Sequence, residues 1–397
     1  MGKRRANGEG HVYQKKSGKW EAMCTIGFNN KGKQRFKYFT GETKQEASAR
    51  MRKYQAEKER GDYIEPTTMS VEAFLDYWYN NHSANKVKDT TRADDESIIR
   101  NHLKPYFGKI RLCNLKGYQI QEAYKEMEEK GKVKDKKGGL SAKTIRNIHT
   151  VFSRVLNQAC KEGLILRSPL DSITLPRVSK TSIEILSPEE QKALEQKCYD
   201  QPWGMAIILT LYSGMRLGEV LGLTWADINF DKNTLSINKQ LSRLKNFDTD
   251  AKTKTTLGLR GETKTKSSTR VICIATAVMD KLKSYKQEQD AQKQKIKSAY
   301  NDLDMVFCTE NGYYIDPKTF ADFYTRTLKK AGIGHKTFHA LRHTFATRAL
   351  ETGIPHKVVS EILGHSSVQI TLDTYSHVSP ELQSNAMKKI ADEFFVV

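Results

Sequence analysis

The 397-residue chain lacks the marks of several large protein classes. Its six cysteines, at 24, 113, 160, 198, 273 and 308, form no Cys-x-x-Cys pair, which argues against a zinc knuckle or a dithiol redox motif. They read as reduced, mostly buried thiols of a cytoplasmic protein. Long apolar runs are also missing. The best one, Met205 to Tyr212, is far too short to span a bilayer and reads as a buried helix, so no membrane partner is expected. The opening Met1-Gly2-Lys3-Arg4-Arg5 leads into no apolar stretch of the secretory kind. There is no His-Glu-x-x-His, no internal repeat and no low-complexity tract. Acidic residues are outnumbered, 46 against 66 basic ones, giving a formal net charge of +20 and a pI near 9.5. The excess runs along the whole chain, which favours an extended cationic surface suited to nucleic acid. The plainer alternative is a soluble protein with a merely basic surface.

The length suits two or three domains. Within residues 1–65, the runs His11–Lys15, Trp20–Ile26 and Arg35–Thr40 alternate like strands, with turns at Ser17-Gly18 and Asn30–Gly32. Lys44 to Arg60 reads as a charged helix. A three-stranded sheet with one helix would offer a basic, aromatic face to a DNA groove; a capping or oligomerisation module is the other reading. Glu65-Pro66-Thr67-Thr68 is a linker signal. Residues 69–168 read as all-helical, with one stripe at Val71, Phe74, Leu75 and Trp78. A second stripe runs from Ile145 to Ala159 and is closed by Gly163. Residues 169–182 read as an extended linker and 183–397 as a third, mixed domain with a C-terminal tail. In it, Ser187-Pro188-Glu189-Glu190 caps a helix. Thr234–Ile237 and Arg270–Ile274 read as paired strands around a long polar insert at 240–263, either a β-hairpin or a solvated loop.

The chemistry gathers near the end. His339, Arg342 and His343 fall at i, i+3 and i+4, so they share one helical face. Gly364 is a helix stop that sets His365 at a helix end. Tyr375 follows in a Thr- and Ser-rich polar segment. Such a set can hold an anion beside a nucleophile. Taken singly, each residue also has a plain reading: a solvated face for Arg342 and His343, a helix-dipole contact for His365, a half-buried core position for Tyr375.

In order and spacing, these residues resemble the second catalytic box of the tyrosine recombinases, the phage integrase family. The first box is matched by Leu211-Tyr212-Ser213-Gly214-Met215-Arg216, followed by Glu219, and the family's turn lysine by Lys264, with Lys266 close by. The resemblance covers roughly residues 185–385 and looks closest to integrases of conjugative transposons. It implies a multidomain protein, mainly α with β: a small sheet-plus-helix arm-binding domain, a helical core-binding bundle and an α+β catalytic domain. It also implies a bacterial enzyme that cuts and rejoins DNA through a 3′-phosphotyrosine, without metal or cofactor. Arg216 and Arg342 would clamp the phosphate, Lys264 would protonate the leaving oxygen and Tyr375 would attack. His339 and His365 would handle protons or bond the phosphate. Tyr313 and Tyr324 stay open as other nucleophiles, and Glu219 is expected to orient the site. The implied partners are double-stranded DNA at element ends and target, a homo-tetramer on two DNA sites, and accessory DNA-bending or excision factors. Ser379-Pro380-Glu381 would start a last helix, and the apolar Phe394–Val397 end would dock on a neighbouring protomer. Two other readings remain: a type IB topoisomerase-like enzyme, and a DNA-binding regulator with an inactive recombinase domain.

Overall fold

The computed structural model describes residues 10–28, 32–83, 88–131, 138–178, 184–246, 253, 255–261 and 269–375, with the backbone alone at 373–375. Lys264, Lys266, His377 and the tail beyond Tyr375 lie outside the described residues. The chain divides into two compact units, Met1–Ser179 and Lys180–Val397.

The first unit opens with β1 (His11–Gln14), β2 (Trp20–Phe28) and β3 (Gln34–Gly41), an antiparallel sheet in sequence order. Its period of two sorts the side chains. Val12, Ala22, Cys24 and Phe39 face α1 (Lys44–Glu59) and close a small core with Ala47, Met51 and Tyr54. The other face carries Tyr38 and Phe36, both exposed, and Glu21, which pairs with Lys15 and accepts from Tyr13 Oη at 2.7 Å. Lys37 is on the helix side, where it lies over the rings of Tyr54 and Tyr63 and pairs with Glu65. The 63–68 connector is therefore fastened at its start, and Cys113 Sγ fastens its end by bonding Thr67 O.

The helical part of this unit comprises α2 (Val71–Trp78), α3 (Asp89–Ile98), α4 (Lys104–Phe107), α5 (Gly117–Lys130) and α6 (Ala142–Lys161). Both apolar stripes expected from the sequence are buried in one core. Ser141 caps α6 and Gly163, at φ 68°, ends it. Arg154, off the stripe, is bound to buried Asp95 at 2.5 and 3.1 Å and lies over Trp78. The start of the segment read as a linker packs onto the helical core. Pro169–Ser172 forms a 3-10 turn that buries Leu170 in the helical core. Thr174 and Gln121 then exchange two bonds, and Arg146 Nε donates to Pro176 O at 2.9 Å. A proline after serine and one apolar residue in register were enough to draw this stretch onto the core.

The second unit is built around α8 (Gly204–Ser213), whose residues Met205 to Leu211 are all buried. Around it lie α7 (Pro188–Cys198), with the expected capping box, α9 (Leu217–Leu221), α10 (Thr276–Ile296), α11 (Pro317–Lys330) and α12 (His339–Glu351). α13 (His356–Leu363) and α14 (Val368–Tyr375) follow. A three-stranded antiparallel sheet joins β4 (Ile228–Asn229), β5 (Thr234–Ile237) and β8 (Arg270–Cys273) in that order. The described parts of the 240–263 insert form a separate hairpin, β6 (Gln240–Lys245) with β7 (Thr255–Arg260). Its root is packed: Leu241 is buried, and a Cβ on Gly222 of the α9 end would stand 2.7 Å from Leu241 N. The polar segment leading to Tyr375 is helical, with Thr371 fully buried. One expectation changes here. Only Cys24, Cys198 and Cys308 are buried, while Cys273 is exposed.

Candidate active site

Gly214 begins the site. It ends α8 at φ 64°, and a Cβ there would stand 2.6 Å from Leu363 and 2.7 Å from Phe345. Only glycine gives both the left-handed turn and this close approach of α8 to α12 and α13. Two residues later Arg216 sits at the N-cap of α9. Its backbone N–H donates to Glu219 Oε2 at 2.9 Å and its Nη1 to Oε1 at 2.8 Å, while Nη2 reaches Gly364 O at 3.2 Å. The side chain remains 37 % exposed.

Arg342, on the first turn of α12, is buried at 2 % exposure. A guanidinium at that depth needs its donors filled. Nη1 bonds Gly214 O at 2.8 Å and Nη2 bonds Leu363 O at 2.7 Å. A third arginine joins them. Arg270 Nε donates to Ile362 O at 2.6 Å, so the successive carbonyls of 362, 363 and 364 each receive a different arginine. These carbonyls are the orphan acceptors at the C-terminus of α13, where the helix dipole is negative. Gly364, at φ 65°, turns the chain away there and leaves them open. One helix end thus aims three fixed cations.

The histidines share this field. Burial, then Arg342 and Arg216, lowers the His339 pKa. Burial, then Arg342, Arg216, His339 and Arg270, pushes His365 down to about 4. Burial, His339 and Arg342 do the same to His343, also to about 4, and its ring meets His339 edge-on at 4.6 Å. His343 and His365 are therefore neutral at pH 7 in the free protein, able to accept a proton or to donate a ring N–H. His365 Nδ1 lies 2.8 Å from Thr371 Oγ1, which fixes its ring against α14. Tyr375 comes one turn after Thr371, as the last residue of that helix. Burial raises Glu219, but the bonds and charge of Arg270, then of Arg216, outweigh it and hold the carboxyl below its ordinary value.

The structure therefore gathers Arg216, His339, Arg342 and His365, and brings the backbone of Tyr375 to the same helix as Thr371. Tyr324 is removed as a nucleophile: it is 2 % exposed, its ring lies against Phe338, and it belongs to the main core. Sequence reasoning missed two residues. Arg270 had a signal, because the strand alternation puts it on the same face as buried Ile272. Thr371 had none beyond its four-residue spacing from Tyr375.

Residues 184–381 match the phage integrase family, and residues 70–127 match the N-terminal SAM-like domain of phage integrases. A tyrosine recombinase XerC-like protein of Caldanaerobacter subterraneus subsp. tengcongensis is 31 % identical over 392 residues, covering 96 % of this chain and 98 % of that protein. In fold, the chain is similar to the Tn1549 transposon integrase solved with a circular intermediate DNA: TM-score 0.65, 23 % identity, 82 % of this chain and all of that one. It is also similar to the lambda integrase tetramer bound to a Holliday junction, with TM-score 0.55 and 17 % identity over 95 % of this chain and 99 % of that one. With the arginine-histidine cluster and the tyrosine-ended helix already in place, the match over nearly the whole chain settles the matter: this protein belongs to the phage integrase family of tyrosine recombinases, enzymes that cut and rejoin DNA at specific sites.

Proposed function

We propose that six residues divide the cleavage chemistry as follows. Tyr375 Oη attacks the scissile phosphorus, the bond to the 5′-oxygen breaks, and a 3′-phosphotyrosine forms. The ester keeps the phosphodiester energy, so the free 5′-hydroxyl of a partner strand reverses the step without ATP. Arg216 and Arg342 neutralise the non-bridging oxygens as charge develops, Arg216 from a partly exposed position and Arg342 as a buried fixed charge. Lys264 gives a proton to the leaving 5′-oxygen. His339 and His365, lowered in pKa, take the tyrosine proton or bond the phosphate. The observation that carries this reading is the convergence of three arginines on the carbonyls of 362–364 beside these histidines.

Residues 1–65 act as an arm-type DNA-binding module through the aromatic sheet face, and 69–168 as the core-binding module. The enzyme integrates and excises a mobile element as a homo-tetramer on two DNA sites, with accessory bending or excision factors. The lambda integrase tetramer on a Holliday junction supports that assembly. Among the described residues no helix is long and apolar enough to cross a membrane, in keeping with a cytoplasmic, nucleoid-bound bacterial enzyme. The test is a duplex nicked near the cleavage site, which traps the covalent adduct. The native protein should give an adduct and exchange strands between two duplexes; no adduct would favour a binding-only regulator.

A further inference from the structure

We propose that Arg270 is a positioning residue for cleavage: it holds Glu219 and cancels its charge, so that Arg216 keeps its place and its net positive charge for the phosphate. Arg270 Nη1 and Nη2 donate to the two oxygens of Glu219 at 3.2 and 2.9 Å, while Nε donates to Ile362 O at 2.6 Å. Its side chain is 7 % exposed and that of Glu219 is 3 % exposed, and both Glu219 oxygens are taken up by the two arginines. Arg216 lands on the same carboxylate with its backbone N–H and Nη1.

Consider Glu219 with Arg216 alone. The pair would be neutral, the guanidinium would be drawn inward, and a phosphate would compete with a buried carboxylate for the same donors. With Arg270 on both oxygens, the carboxylate is shared and the three groups together carry one positive charge. Arg270 is itself aimed by α13, whose next two carbonyls bind Arg342 and Arg216. Its planar fork is what allows three simultaneous bonds; a lysine in its place keeps the charge but not the bridge.

The proposal rests on Arg216 as the phosphate clamp, and the experiment separates the two claims. Full-length protein at saturation cleaves a nicked trapping duplex in a single turnover, with either an ordinary scissile diester or a methylphosphonate. The methylphosphonate lacks one charged oxygen, so a group that serves the phosphate charge matters less to it. We expect Arg270→Gln to slow diester cleavage by about 10²-fold, the scale of a misplaced catalytic group. Its diester-to-methylphosphonate rate ratio should fall by about tenfold or more, as expected when charge stabilisation is what was lost. Arg270→Lys should fall between Gln and the native protein. The ratio comes from one preparation, so it does not depend on the fraction folded. An unchanged ratio in both variants, a loss confined to DNA affinity, or failure of both variants to fold overturns the proposal. Arg216→Gln, which removes the charge, is the companion: an unchanged ratio there overturns the clamp reading and this proposal with it.

Discussion

At the scale of single residues, the site is a set of donors aimed by one helix end, and that makes its variants specific. Tyr375→Phe keeps the ring and removes the nucleophile; it should bind the duplex as the native chain does and yield no covalent adduct in a denaturing gel. Arg216→Lys keeps charge but cannot bond Glu219, Gly364 O and a phosphate together. Its cleavage rate should fall on the order of 10²-fold, as when one oxyanion donor is removed, with little change in affinity. The histidines make pH a further probe. His343 and His365 sit at about 4 when folded against an ordinary value of 6.5, so the unfolded chain binds more protons between those values. The free protein should therefore lose stability as pH falls from 6.5 towards 4. A phosphate in the site favours the protonated rings, so DNA should bind more tightly and take up protons over the same window. Titration calorimetry in two buffers of different ionisation enthalpy checks this, and zero uptake at pH 5.5 would sink it. The sequence made Arg342, His339 and His365 legible because helix period and a glycine stop are local signals. Arg270 carried only the strand alternation as a signal, because its meaning lies in a carbonyl 92 residues away.

At the scale of elements, local chemistry predicted most of what formed and failed where tertiary burial decided. The three strands, α1, α7 and the stripe of α6 follow alternation, caps and heptad-like spacing. α14 does not. Its Thr-rich sequence favours turns, and it is helical where Thr371 is buried and bonded to His365. Within 169–178 a linker-like composition conceals Leu170, which the helical core takes up. Gly214 shows how tightly elements constrain the motif. Gly214→Ala adds a Cβ within 2.7 Å of two side chains and forces alanine to φ 64°. The strain should cost about 1–3 kcal/mol, read as a lower denaturation midpoint with an unchanged slope. The β6–β7 hairpin is the element whose form the sequence left open. Its root is fixed by Leu241 and by the pairing of Arg243 with Asp316. Deleting 246–254 spares that root. The shortened protein should bind a single site normally and lose strand exchange, if the hairpin works on DNA near the cleavage point. Normal exchange would assign it to the scaffold alone.

At the scale of the whole molecule, the chain is two units that each own a core. One holds the sheet and helical clusters before residue 179, and the other holds the α8-centred core and the smaller cluster between α12 and α13. The sequence suggested three domains. The first two fall in one compact unit, each with its own core cluster, and Tyr63, Glu65 and Cys113 hold the connector that composition marks as a break. A division into two units with separate cores has a thermodynamic consequence for a protein of charge +20. We expect each unit to meet phosphates on its own, so that joining them turns the second encounter into an intramolecular one. Cutting the chain once within 179–183 should leave two fragments, each with its own cooperative unfolding transition. It should also raise the dissociation constant for a core DNA site by about 10²–10⁴-fold over the intact chain, the usual gain from a covalent tether. The slope of log affinity against log salt should drop for each fragment, because each neutralises only its own share of phosphates. Cleavage by the fragment 184–397 at saturating concentration should survive, since every described residue of the site lies within it. The measurement is a gel-shift series at several salt concentrations with the intact chain, each fragment and the mixture. If the mixture binds as tightly as the intact chain, the units hold each other without the linker. The tether would then contribute nothing, and the two-unit account of affinity would be wrong.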